Sequence, residues 1–167
     1  MIISDVKAQI VKDSRGVDTI AVSVNGAEEA SAPNGKSAGD YETLSYYKSL
    51  KWCVDFLNAF CDEIVVEKFE DLARVEKAIC KNAGLKNARE FGANSLYAFE
   101  SAVLKALASE TGKELWQIVN SKSRKIPFSV GNVVGGGLHS ASVSQRPNFQ
   151  EFLVIPYALK FSDNLRI

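Results

Sequence analysis

Hydrophobic and polar residues alternate from residue 2 to residue 12, with Val6, Ala8 and Ile10 on one face and Lys7, Gln9 and Val11 on the other. That two-residue period predicts a half-buried β-strand. Ile20, Val22 and Val24 repeat it and lead into Asn25-Gly26. Both of those residues tolerate positive φ, so the pair predicts a tight turn between strands. A third strand is expected over 27–32. Pro33 ends it, and 34–40 reads as a loop rich in small residues.

The period then changes. Leu50, Cys53, Leu57, Phe60 and Ile64 recur at three- and four-residue spacing, which predicts one amphipathic helix. Phe69, Leu72, Val75 and Ile79 predict a second. Glu70 and Asp71 suit its positive N-terminus, and Gly84 can end it. A third is expected from an Asn94 cap through Ser109, with Leu96, Phe99, Val103 and Leu107 inward and Gly112 as the stop. A short fourth covers 114–120. Beyond the basic link Lys122-Ser123-Arg124-Lys125 come two strand-like runs, 126–130 and 152–155, with a long glycine-rich loop between them.

The expected architecture is therefore α+β. A three-stranded antiparallel meander packs on a helical bundle over 1–122, and 123–167 holds a linker and the first strands of an incomplete second unit. Leu57, Leu72, Phe99, Val103 and Leu107 should be buried.

Composition narrows the function classes. The chain has 167 residues, 46% hydrophobic and 24% charged, which suits a globular protein rather than a disordered one. The formal net charge is zero, and no long basic run is present, so neither nucleic acid nor an anionic membrane is an expected partner. No signal peptide and no apolar run of about 18 residues is evident, so a cytoplasmic location is expected. Cys53, Cys61 and Cys80 are odd in number and lack metal-ligand spacing. They read as buried free thiols.

Four places could carry chemistry. The loop around Ser37 could bring a hydroxyl to a metal or substrate. His139, the only histidine, follows Gly135-Gly136-Gly137 and could bind an anion or transfer a proton. The stretch is not a phosphate-binding P-loop, because no Gly-Lys-Ser/Thr follows. Glu151 lies between Phe149 and Phe152 at a strand entrance, where partial desolvation suits a carboxylate to acid–base work. Asp13-Ser14-Arg15-Gly16 reads as a tight turn whose Arg15 could pair with a carboxylate on this chain or another.

Taken together and in order, these segments resemble enolase (phosphopyruvate hydratase) from Ile3 to Arg166. Lys12-Asp13-Ser14-Arg15-Gly16 matches the family's opening motif. Pro33-Asn34-Gly35-Lys36-Ser37-Ala38-Gly39 resembles its Pro-Ser-Gly-Ala-Ser-Thr-Gly loop, with Asn34 and Ala38 as departures. Phe91-Gly92-Ala93-Asn94-Ser95-Leu96 resembles Leu-Gly-Ala-Asn-Ala-Ile. Gly136-Gly137-Leu138-His139-Ser140 resembles Gly-Gly-x-His-Ala, and Gln150-Glu151-Phe152 matches outright. Three extra residues fall within 140–148. The family's glutamate that pairs across a dimer interface is Ala21 here.

The resemblance implies roles at the matched positions. Ser37 would close over the substrate and ligate a magnesium ion. His139 would sit at the phosphate and carboxylate end, Gln150 would line the site, and Glu151 would hold or protonate the departing hydroxyl. Glu151 and His139 are thus the implied catalytic residues. In the family a lysine removes the proton next to the carboxylate, and magnesium stabilises the enediolate. That lysine and the metal carboxylates lie on later strands of a barrel, and a closed (β/α)8 barrel takes about 250 residues.

Two classes of function follow as expectations. The chain is the N-terminal part of an enolase, converting 2-phosphoglycerate to phosphoenolpyruvate only when another chain supplies the barrel. The alternative is a non-catalytic enolase-like interaction module, or a fragment. The expected partners are a barrel-bearing chain or a second copy paired through the C-terminal strands.

Overall fold

The first alternating run does not make one strand. It breaks at Ser4-Asp5 into β1 (Ile2–Ile3) and β2 (Val6–Lys12). The Asn25 side chain causes the break. Its Oδ1 accepts from the amides of Ser4 (2.9 Å) and Asp5 (3.1 Å), and its Nδ2 donates to Ile2 O (2.7 Å). Asn25 can do this because it sits in the turn with φ +51°, followed by Gly26 at +70°. β2 pairs antiparallel with β3 (Asp18–Val24), Val6 opposite Val24 and Lys12 opposite Asp18. β3 pairs with β4, which is only Ala30–Ser31 rather than the expected 27–32. The expected meander thus forms, with order β2-β3-β4.

This is a computed structural model that describes residues 1–35, 38–140, 144–145, 147–158 and 160–164, the side chains of Leu138, His139 and Phe161 excepted. The chain divides into two compact units, residues 1–35 with 39–123, and residues 36–38 with 124–167.

In the first unit, α1 (Leu50–Asn58) packs on β2, and α3 (Ala93–Thr111) packs on β3 and β4. α1 is shorter than its apolar period suggests. It stops at Asn58, whose side-chain amide turns to the edge of β2, accepting from Ala8 N (2.8 Å) and donating to Ala8 O (2.9 Å). That contact occupies backbone groups that a free strand edge would offer to another chain. Phe60 then packs edge-on against Phe99, with ring centroids 5.3 Å apart. Ile64 belongs to β5 (Ile64–Val65), which pairs with β1. Phe69 falls in a 3-10 turn before α2 (Leu72–Ala83) and is exposed. Gly84 and Gly112 end α2 and α3 in the left-handed region. α4 (Leu115–Asn120) follows.

Leu57, Leu72, Phe99, Val103 and Leu107 are all buried, as are Ile20, Val22 and Val24 from the sheet. Ile10, which alternation puts on one face with the buried Val6 and Ala8, is 46% exposed. Among the cysteines, Cys53 is buried, Cys80 half-buried and Cys61 exposed, so the expected burial of all three is corrected.

Glu100 on α3 hydrogen-bonds Glu76 on α2. Burial first, then the Glu76 charge and that bond, push the Glu100 carboxyl up to about 7. Its Oε1 is sealed from solvent with no partner among the described residues. The unfolded chain loses this proton near the ordinary value of 4.5, whereas the folded chain keeps it to about 7. Between those values the folded state binds more protons, so stability falls as pH rises through the window and levels off above it. Asp13 is held low, chiefly by the Val17 amide, and titrates below this window. The urea midpoint should be higher at about pH 5 than at about pH 8, and Glu100→Gln should flatten that difference. Equal pH slopes in the two proteins would rule out Glu100 as its source.

In the second unit, β6 (Gly131–Gly135) pairs antiparallel with β7 (Glu151–Val154), and a turn of helix, α5, covers Phe161–Asn164. The expected strand over 126–130 is absent. Pro127 has no amide hydrogen to give a ladder, and pairing begins at Gly131, inside the stretch expected to be loop. Both faces of the hairpin are exposed, including Val133, Phe152 and Leu153. Among the described residues, no helix is long and apolar enough to cross a membrane.

Candidate active site

Glu151 opens β7 opposite Gly135, and Asn132 stands opposite Leu153. Between them the ladder shifts register, because Val134 pairs with Phe152 and Val133 has no opposite residue. This bulge matters for the side chains. Successive strand residues point to opposite faces. With Val133 as the extra residue, Asn132 and Gly135 both stay on the face of Glu151. Asn132 Nδ2 consequently reaches Glu151 Oε2 at 2.6 Å. The residue directly across from Glu151 is a glycine, so no side chain crowds the carboxylate from that position.

The turn after β6 folds back on the same strand. Gly136 N donates to Gln150 O (2.7 Å), and Gly137 N donates to Pro147 O (3.1 Å). A Cβ on Gly136 would stand 2.2 Å from Phe149 O, so the close approach requires glycine. The chain then makes a 3-10 turn over Gly137–Ser140, fastened by Ser140 Oγ donating to Gly135 O at 2.8 Å. His139 is in that turn. Phe149 and Phe152 flank the Gln150-Glu151 pair and pack edge to face, centroids 4.4 Å apart.

Of the residues that the sequence singles out, Gln150 is thus bonded to Gly136, at the entry to the His139 turn, and Glu151 pairs with Gly135. The His139 side chain and all of Ser37 lie outside the described residues. Asn132 was not legible as a site residue. It is a lone asparagine in an apolar stretch, and only the bulged register aims it at Glu151. Arg15 sits in the turn between β2 and β3. Its Nη2 donates to Asn34 O (2.5 Å) and lies 3.5 Å from Asp13 Oδ2, which is one close contact rather than a bidentate carboxylate pair.

Magnesium prefers near-octahedral oxygen ligands, usually with at least one carboxylate. Among the described residues no group of three histidines, cysteines or carboxylates could hold a metal ion. They do not make a magnesium site by themselves.

A model of the Enolase, N-terminal domain family matches residues 3–119. Among curated proteins, the enolase of Methanosphaera stadtmanae is 32% identical over 161 residues, 93% of this chain and 38% of the relative. The enolase of Ehrlichia ruminantium is 31% identical over 182 residues, 99% of this chain and 42% of the relative. That of Methanothermobacter thermautotrophicus is 30% identical, covering 93% and 38%. The chain spans about two-fifths of the length of these relatives.

Proposed function

Because this chain belongs to the enolase N-terminal domain family, we propose that it supplies the N-terminal domain and the His139–Glu151 segment of a phosphopyruvate hydratase site. The observation that carries this reading is the β6–β7 hairpin, which holds the Glu151 carboxylate against Asn132 and clips the Gly136-Gly137 turn to Gln150. On this reading Glu151 gives a proton to the departing hydroxyl of 2-phosphoglycerate, which leaves as water. Asn132 orients Glu151, Gln150 and His139 face the substrate, and Ser37 joins from its loop. The base that takes the proton next to the substrate carboxylate, and the carboxylates that hold magnesium, come from barrel strands outside these residues. The exposed apolar hairpin supports the same view, since Val133, Phe152 and Leu153 would be covered once further strands pair with it.

The test mixes the purified chain with a separately purified enolase barrel polypeptide, magnesium and 2-phosphoglycerate. The chain alone should form no phosphoenolpyruvate. The mixture should turn over, and Glu151→Gln should lower its rate by about 10²- to 10⁴-fold. Robust turnover by the chain alone would overturn this reading. A stable complex without turnover would favour the non-catalytic interaction module instead, which the same exposed hairpin motivates.

A further inference from the structure

The sequence predicts Asn94 as the cap of α3, but α3 begins at Ala93 and its cap is Gly92. The first amides of that helix are taken up by backbone from an earlier loop. Ala93 N donates to Leu44 O (2.8 Å), and Asn94 N donates to Ser45 O (3.0 Å). Two of the orphan donors of the helix N-terminus are thereby satisfied by backbone, with no capping side chain. The Asn94 side chain is left for another purpose.

Its Nδ2 lies 3.2 Å from Asn34 Oδ1 and 3.3 Å from Tyr46 Oη. Tyr46 Oη lies 3.4 Å from the same Asn34 oxygen and 3.1 Å from Thr19 Oγ1. Thr19 is buried, and its hydroxyl donates to Ala32 O. Asn34 Nδ2 donates to Asp18 O (2.9 Å), and Arg15 Nη2 reaches Asn34 O. Three polar side chains from three separate segments, Arg15, Tyr46 and Asn94, therefore meet at Asn34, and Thr19 joins them through Tyr46. Asn34 is the last point before the chain enters the loop that Leu44, Ser45 and Tyr46 close. Tyr41, in the middle of that loop, is fully exposed.

We propose that Asn34, Tyr46 and Asn94 form a polar clasp, and that Tyr46 and Asn94 are positioning residues for the two stems, at Asn34 and at residues 44–46, of the loop that carries Tyr41. The clasp ties the departing and returning stems of the loop to one place, the first turn of α3. Interconnected, half-buried hydrogen bonds of this kind hold a unique arrangement when all are made. Opening the clasp frees the stems and lengthens the segment that must find its place. The inference extends the enolase reading, in which this loop carries Ser37, but its test does not depend on that activity.

The test is chymotrypsin cleavage after Tyr41 in the full chain, with the urea midpoint measured alongside. Asn34→Ala and Asn94→Ala should each speed cleavage after Tyr41 about tenfold, the scale of one hydrogen bond to a network. Tyr46→Phe removes a single oxygen and should act in the same direction. Asn34→Asp keeps the oxygen that faces Tyr46 and Asn94, so it should restore slow cleavage in part. Faster cleavage confined to the loop supports the clasp. Unchanged cleavage after Tyr41 in all variants would overturn it. So would an equal rise at the buried Phe99, which reports global unfolding. Failure of the barrel mixture to turn over would leave this result standing, and failure of the clasp would leave the enolase reading standing.

Discussion

Gly92→Ala should be among the most destabilising single-methyl additions in this chain, by about 3–5 kcal/mol. Gly92 has φ +101° and ψ 137°, a conformation that L side chains rarely adopt. A Cβ there would stand 2.5 Å from Tyr46 Cα, 2.6 Å from Ser45 O and 2.7 Å from Tyr46 N. All three atoms are backbone, so no rotamer change relieves the collision. Relief requires residues 45–46 to leave the start of α3, which also breaks the bonds from Ala93 and Asn94 to Leu44 and Ser45. Gly84 is the control. It is also left-handed, at φ +67°, but a Cβ there meets nothing within 4 Å. Gly84→Ala should therefore cost only the conformational penalty, about 1–2 kcal/mol. Urea unfolding followed by Trp52 fluorescence would separate the two. Equal losses would show that the packing of residues 45–46 on α3 is not what Gly92 serves.

Leu57→Ala and Leu107→Ala should each cost about 2–5 kcal/mol. Leu57 is fully buried on α1 and Leu107 is 1% exposed on α3, the two helices that cover the sheet. Truncating either one leaves a cavity that neighbouring β-branched residues such as Val22 and Val24 fill poorly, because their side chains are stiff. Leu115→Ala on α4 is the reference, since Leu115 is 40% exposed and should lose well under 1 kcal/mol by about the same reckoning. If either core variant unfolds at the wild-type urea midpoint, the sheet–helix interface is not the principal core.

Much of the candidate site was legible as residue types in order. Gln150, Glu151, the glycines before His139 and the Arg15 turn each stood out by chemistry or motif. Their partners did not. Asn132 meets Glu151 only because one residue, Val133, is left out of the ladder, and a bulge has no local sequence signature here. Asn94 looked like a cap because Asn before an apolar period usually is one. Backbone carbonyls of Leu44 and Ser45, about 50 residues earlier, took that role instead, so its side chain pairs with Asn34.

Local pattern by itself determined the elements whose information is local. These are the turn at Asn25-Gly26, the apolar faces of α2 and α3 with their glycine stops, and the burial of Leu57, Leu72, Phe99, Val103 and Leu107. Side-chain period and the steric freedom of glycine act over a few residues, so they can be read without knowing the fold. Only the tertiary structure decided where elements end when a distant group competes for their backbone. Asn25 draws off the amides of Ser4 and Asp5 and splits the first strand. Asn58 leaves α1 to pair with Ala8, and Ile64 finds Ile3 across β1 and β5 rather than continuing a helix. A hydrogen bond between residues 20 to 60 positions apart depends on the packed chain, and no periodicity along the sequence records it.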